Sequence, residues 1–209
     1  DAIVSRTPYS KEVALRILAG FMVRTGARLG LAAEPILSFQ KDHYIKVFAV
    51  VDKGITKAKE LLKRIGWISY CHKCMRIHAT RRDEGPATRC IECCGKLNYI
   101  GPLWIGRLSD RDLAEEMYRS ALEDQETYRD VLKLLRYLKA EDPEIIGYYP
   151  VNYVAEVLRQ SPVKPRRIIE ELRAMGYKAT ATHIDPSGFR TDAPPSMIAK
   201  LFRELKLKS

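Results

Sequence analysis

The chain has 209 residues, of which 46% are hydrophobic and 30% are charged. This balance is typical of a globular protein and excludes an intrinsically disordered chain. The formal net charge of +10 favours a polyanion such as nucleic acid as partner, with a merely solvated cationic surface as the alternative. No apolar run reaches the roughly 18 residues of a membrane-spanning helix, and no signal peptide is visible, so we expect no membrane association.

The first third of the sequence predicts a helix, a hairpin and a second helix. Apolar residues recur at helical spacing over 9–29, with Ser10 as a start signal. Two runs of strand-forming residues around 40–42 indicate a hairpin. A basic helix is predicted over 54–66, with Gly66 closing it.

All five cysteines lie between residues 71 and 94, whereas the cysteines of a disulfide framework usually spread through the fold. Two C-x-x-C pairs separated by 15 residues match the spacing of a zinc ribbon, in which four thiolates surround the metal. Such a closed shell leaves no position for water, so we predict a structural Zn²⁺ in a protein of the reducing cytoplasm. The predicted ligands are Cys71, Cys74, Cys90 and Cys93.

The fourth ligand is ambiguous, because "RCIECCGK" at 89–96 contains three cysteines. Cys93 is favoured, since Cys90-x-x-Cys93 repeats the spacing of the first pair. Cys94 is the substitute, since zinc knuckles often place a glycine directly after the second ligand and Gly95 follows Cys94. A cluster of free thiols, a disulfide, or a nearby histidine in place of one cysteine are the remaining alternatives.

Basic residues crowd the cysteine section, with 11 Lys and Arg against 4 Asp and Glu over residues 53–96. The loop between the cysteine pairs carries Arg81 and Arg82, which we predict to contact nucleic-acid phosphates. A solvated loop is the alternative.

The next section predicts a helical pair over 110–140. Residues 105–146 hold 7 Lys and Arg against 11 Asp and Glu. This acidic balance indicates a spacer or packing element and not a surface for nucleic acid.

The C-terminal section, 147–209, predicts two short helices, a strand, a turn and a last helix, an order that suggests a winged-helix-like module. Residues 161–209 hold 10 Lys and Arg against 5 Asp and Glu. We therefore predict nucleic-acid contacts at the start of the second helix and around the wing-like turn. The predicted residues are Lys164, Arg166, Arg167, Lys178, His183 and Arg190.

Motifs of common enzyme classes do not occur. The sequence contains no glycine-rich phosphate loop, no H-E-x-x-H and no G-x-S-x-G. We therefore assign no catalytic residue in this chain.

The segment "THIDPSGFRTDAP" has the form T-H-x-x-P-x-G-[FI]-[KR]-T-x-A-P, and three others precede it: "KEVALRIL", "KDHYIKVFAVVDKG" and "YIGPLWIGRL". In this order they resemble the C-terminal half of tRNA (guanine-26-N2)-dimethyltransferases, of the archaeal type that contains a zinc ribbon. The resemblance covers essentially the whole chain.

In that family, S-adenosylmethionine bound to a Rossmann-like sheet methylates N2 of a guanine in tRNA. The resemblance implies an α+β fold in which 1–68 form the C-terminal edge of the methyltransferase sheet, 69–106 a zinc ribbon and 107–209 a tRNA-binding domain. It also implies that the donor-binding and catalytic motifs lie outside this chain, so that S-adenosylmethionine serves only the full-length enzyme and activity of the chain alone is uncertain.

The expected partners are tRNA and an N-terminal methyltransferase half, in the same chain or a separate one. The alternative is a stand-alone adaptor with a zinc ribbon and a winged helix, which binds nucleic acid without catalysis.

Overall fold

The fold was obtained as a computed structural model that describes residues 2–207. Helix α1 (Ser10–Arg28) leads into strands β1 (Leu31–Lys41) and β2 (Tyr44–Lys53), followed by helix α2 (Ile55–Leu62). β1 and β2 pair in antiparallel register. The predicted first helix and hairpin are therefore confirmed.

The second predicted helix is shorter than expected. It ends at Leu62, because strand β3 (Ile65–Tyr70) begins three residues later. Gly66 does not cap the helix but lies within β3, where an added Cβ would come 2.2 Å from the carbonyl oxygen of Thr80. The close approach of the neighbouring strand, and not a helix terminus, requires glycine here.

The cysteine section is built on a three-stranded antiparallel sheet. β3 lies in its centre, between β4 (Ile77–Arg81) and β5 (Asn98–Trp104). Because β3 crosses the predicted boundary after residue 68, the last residues of the first predicted part belong to this sheet.

The helical pair forms its own small core. α3 (Arg111–Ala121) is capped by Asp110, whose carboxylate accepts hydrogen bonds from the backbone N–H groups of Asp112 and Leu113. α3 packs on α4 (Arg129–Leu138) around a cluster that also includes a residue of β1. Its buried residues are Leu37, Ala114, Ala121, Leu132, Leu135 and Leu138.

The C-terminal module follows the predicted order of elements. Its strands β6 (Tyr149–Pro150), β7 (Ala179–Ala181) and β8 (Gly188–Thr191) form a sheet in the order β6–β8–β7. Its helices are α5 (Val151–Leu158), α6 (Pro165–Ala174) and α7 (Pro195–Leu207).

One hydrophobic core extends through most of the described chain. It includes Val13 of α1, Ile68 of β3, Ile100 of β5 and Phe202 of α7, each at most 3% exposed. The three predicted parts therefore share a core. Within residues 2–207, none of the helices combines the length and apolarity that a bilayer crossing requires.

Candidate metal centre and nucleic-acid surface

Four of the five cysteines converge beside the β4–β3–β5 sheet. The Sγ atoms of Cys71, Cys74, Cys90 and Cys93 all lie within 4.8 Å of one another. The Cys71–Cys93 and Cys74–Cys90 sulfur distances are 3.5 Å and 3.4 Å. A disulfide requires about 2.05 Å, whereas sulfurs bound at about 2.3 Å to one tetrahedral ion lie roughly 3.8 Å apart. The arrangement can therefore hold a metal ion.

The two cysteine pairs form equivalent turns. The N–H of Met75 donates to the carbonyl oxygen of Cys71 over 2.7 Å, and the N–H of Cys94 donates to that of Cys90 over 2.9 Å. Met75 and Cys94 also share a left-handed backbone, with φ of 68° and 56°. Cys94 is thus the counterpart of Met75, and its exposed side chain lies outside the cluster that includes Cys93.

Burial and backbone hydrogen bonds shift the pKa values of these thiols in opposite directions. Burial raises the pKa of Cys71 above its ordinary value. Burial also raises the pKa of Cys90, but the backbone N–H groups of Cys93 and Glu92 outweigh it and lower that pKa to about 7. Cys90 therefore deprotonates more readily than an ordinary thiol.

The histidine inside the first turn faces away from the cysteines. His72 Nδ1 lies 3.3 Å from the hydroxyl of Tyr153 in α5, and its Nε2 lies 3.2 Å from the side-chain nitrogen of Asn98. His72 therefore joins the cysteine section to the C-terminal module, and the described four-residue cluster consists of cysteines alone.

The two arginines predicted on the ribbon have different surroundings. Arg81 is exposed but lies 3.2 Å from Glu84, so its charge is partly balanced. Arg82 has no ion-pair partner within residues 2–207 and lies near Arg24 of α1, which in turn lies near Arg28. Burial lowers the pKa of Arg24, and the charges of Arg82 and Arg28 lower it further. These three arginines form a cationic patch.

Three of the predicted residues at the start of α6 remain accessible. Lys164 and Arg166 are exposed and Arg167 is half-buried. Arg166 pairs with Glu170 one turn later, at 2.8 Å. The exposed Lys178 lies 2.7 Å from Asp142, so it is an ion-pair partner within the module.

The predicted RNA contacts of Arg190 and His183 are wrong, because both side chains are buried. Arg190 is 4% exposed and lies 2.7 Å from Glu12 and 3.0 Å from Glu141. The side chain of His183 is 3% exposed, and its Nδ1 lies 2.7 Å from Glu141. Burial raises the pKa of Glu141, but the charges of Arg190 and His183 outweigh it and lower that pKa to about 2.

The interpretation of the helical pair as a spacer overlooked one face of α4. Lys133 and Arg136 are exposed there, and they line the same groove as Lys164 and Arg166 of α6. The count over 105–146 averages this face with the acidic remainder of the pair. The spacing of Lys133 and Arg136 could have revealed this cationic face, since residues three apart lie on the same face of a helix.

A comparison with protein families identifies the group to which these features belong. The family model described as N2,N2-dimethylguanosine tRNA methyltransferase matches residues 1–203. The chain belongs to this family.

Relatives in the N2,N2-dimethylguanosine tRNA methyltransferase family are about twice as long. The tRNA (guanine(26)-N(2))-dimethyltransferase of Methanobrevibacter smithii is 33% identical over 205 residues, which are 96% of this chain and 52% of the relative. The enzyme of the same description from Aeropyrum pernix is 36% identical over 199 residues, which are 91% of this chain and 48% of the relative. The chain thus spans about half the length of these curated relatives.

A solved structure of the family shares the fold. The complex of Trm1 from Pyrococcus horikoshii with S-adenosyl-L-methionine matches with a TM-score of 0.80 at 28% identity. The match covers 95% of this chain and 51% of that chain.

Three of the four segments that resemble the family meet in the buried ion network. "KEVALRIL" contributes Glu12 and Arg16, and "THIDPSGFRTDAP" contributes Arg190. From "YIGPLWIGRL", the carbonyl oxygens of Trp104 and Gly106 accept hydrogen bonds from Arg16 over 3.2 Å and 2.9 Å. Several family-like residues of this chain therefore hold its elements together.

Proposed function

We propose that the chain is the C-terminal, tRNA-binding part of an S-adenosylmethionine-dependent tRNA (guanine-26-N2) methyltransferase. The family match over residues 1–203 is the observation that carries this proposal. Bound S-adenosylmethionine supplies the methyl group in such an enzyme, and its binding and catalytic residues belong to the N-terminal half. The adaptor alternative is not favoured, because the family similarity runs through all parts of the chain.

The tRNA contacts proposed for this chain are electrostatic. Lys164, Arg166 and Arg167 at the start of α6 and Arg82 in the arginine patch present accessible cations. Base edges of folded RNA lie in a deep, narrow groove, so contacts to phosphate and 2′-OH groups suit these side chains. The helices and sheet of the C-terminal module suit a winged-helix-like arrangement, which we include in the proposal.

A zinc ribbon is the proposed role of the cysteine cluster. Cys71, Cys74, Cys90 and Cys93 supply four thiol sulfurs, a set typical of structural zinc sites. The two turns lie next to α5 and α7, so that metal binding would stabilise the contact between the ribbon and the C-terminal module.

An N-terminal half is the proposed partner of the β1–β2 hairpin. Within the described chain, β2 pairs only with β1. β2 also exposes Phe48, Val50 and Val51, which are 44–55% accessible. An open strand edge beside apolar side chains favours pairing with a further strand. Relatives of twice the length provide such a partner, and we place the complete enzyme in the cytoplasm.

A methyl-transfer assay tests this function. We would fuse the N-terminal half of the Methanobrevibacter smithii relative in front of this chain and supply radiolabelled S-adenosylmethionine. The expected result is label in a tRNA with guanine at position 26 and none in the same tRNA with adenine there.

The unfused chain is the control in the same assay. It should bind tRNA without transferring label. A chain that binds no tRNA contradicts the proposal, and one that binds duplex DNA as tightly as tRNA supports the adaptor.

A further inference from the structure

We propose that the groove between α4 and α6 binds the phosphate backbone of tRNA. This inference rests on the proposed function and identifies a surface for it. It assigns a binding role to α4, which lies outside the basic sections of the sequence.

The groove is strongly cationic. Its volume is about 770 Å³, and it opens between the two helices and β7. Only one carboxylate, Glu170, is among its lining residues, and it pairs with Arg166. Five cationic side chains also line the groove: Lys133, Arg136, Lys164, Arg166 and Arg173.

Three of these cations have no counter-charge in the described chain. Neither Lys133 nor Arg136 of α4 lies within ion-pair distance of a carboxylate between residues 2 and 207, and the same holds for Lys164. All three are exposed. Cations that converge on one groove repel each other. A bound polyanion relieves this repulsion and is attracted by all of them at once.

The groove continues toward the methyltransferase part. A second groove of about 510 Å³ shares Lys133, Tyr137 and Pro186 with the first and reaches Lys11 of α1 and Lys41 at the hairpin. This path connects the basic start of α6 with the hairpin proposed to join the N-terminal half. An RNA strand in the first groove would therefore extend toward the catalytic half.

Replacing the two α4 cations tests the inference. We would measure binding of the 209-residue chain to a tRNA transcript between about 50 and 300 mM KCl. Lys133→Ala with Arg136→Ala should weaken binding about tenfold and reduce the slope of log affinity against log salt by up to about 2.

The matched control removes the same charges at the same helical spacing elsewhere. Lys200 and Arg203 are exposed on α7 and line neither groove. Lys200→Ala with Arg203→Ala should change the slope by less than about 0.5. If the parent binds tRNA and the two double variants have the same affinity and salt slope, the assignment of tRNA binding to the groove is wrong and the proposed function is unaffected. If the parent does not bind tRNA, the proposed function itself fails.

Discussion

Cys93 and Cys94 are adjacent in the chain, yet only the Cys93 sulfur belongs to the four-cysteine cluster. Cys94 and Met75 share a left-handed backbone in the two turns, but the side chain of Cys94 is exposed whereas that of Met75 is buried in the core. Gly95 lies close to the cluster, since a Cβ added there would come 3.3 Å from the Cys93 sulfur. The glycine thus leaves room beside the four-cysteine cluster, and its position after Cys94 does not bring the Cys94 sulfur into that cluster.

Serine substitutions at these two positions should have opposite outcomes. Cys94→Ser should retain one equivalent of zinc, and Cys93→Ser should lose most of it because three thiolates bind zinc more weakly than four. Bound metal is measured by mass spectrometry after gel filtration. Zinc retained in Cys93→Ser and lost in Cys94→Ser would reverse the assignment.

At the scale of elements, Arg190 joins strand β8 to helix α1. It is buried between Glu12 and Glu141, and it is the cation that both carboxylates share; Arg16 also pairs with Glu12, and His183 with Glu141. A buried ion pair contributes little net stability compared with an apolar replacement of both partners, but removal of one partner is costly. The attachment of α1 to the C-terminal module is therefore sensitive to this one side chain.

Arg190→Met should lower the free energy of unfolding by about 3–5 kcal/mol, because it removes the cation that two buried carboxylates share and leaves Glu12 with Arg16 alone and Glu141 with His183 alone. Urea denaturation measures this change. Lys178→Met is the matched control, since it removes an exposed cation from an ion pair in the same module and should leave the free energy of unfolding nearly unchanged. If Arg190→Met leaves the unfolding free energy unchanged and reduces the salt slope of tRNA binding, Arg190 contacts RNA and its burial is not structural.

At the scale of the whole molecule, the ion network makes stability depend on pH. Burial raises the pKa values of Glu12 and Glu141, but the neighbouring arginines outweigh it and lower both, that of Glu141 to about 2. The unfolded chain, with an ordinary pKa near 4.3, binds more protons than the folded one between about pH 5 and pH 2. The contribution of these two carboxylates to the free energy of unfolding is therefore complete above about pH 5 and is lost as the pH falls toward 2.

Glu141→Gln should flatten this dependence while lowering stability at pH 7. The contribution expected from Glu141 is on the order of 3 kcal/mol between pH 5 and pH 2. Urea midpoints of the parent and the variant from pH 7 to pH 3 measure it, and any metal contribution cancels because both proteins contain the same cysteines. Parallel profiles would contradict the role of this carboxylate.

Local patterns predicted the helices and the hairpin well, since periodicity and turn residues act over a few positions. The spacing of the cysteine pairs likewise predicted which four sulfurs converge. The burial of Arg190 could not be predicted, because its carboxylate partners are distant in sequence. The cationic face of α4 was missed because a charge count over a section ignores direction. Gly66 was assigned to a helix end because the strand that approaches it closely, β4, comes later in the sequence and could not be placed beside it from local patterns.

The buried network also has a consequence for synthesis. Glu12 accepts a hydrogen bond from the backbone of Gly147, 135 positions later, and its arginine partner in β8 follows later still. At about 5–20 residues per second, a ribosome needs roughly ten seconds or more between these segments. During that interval Glu12 has only Arg16 of its charged partners, so α1 can dock fully only after β8 has been synthesised. A product truncated before β8 would keep both glutamates without Arg190, and we expect cellular proteases to remove it.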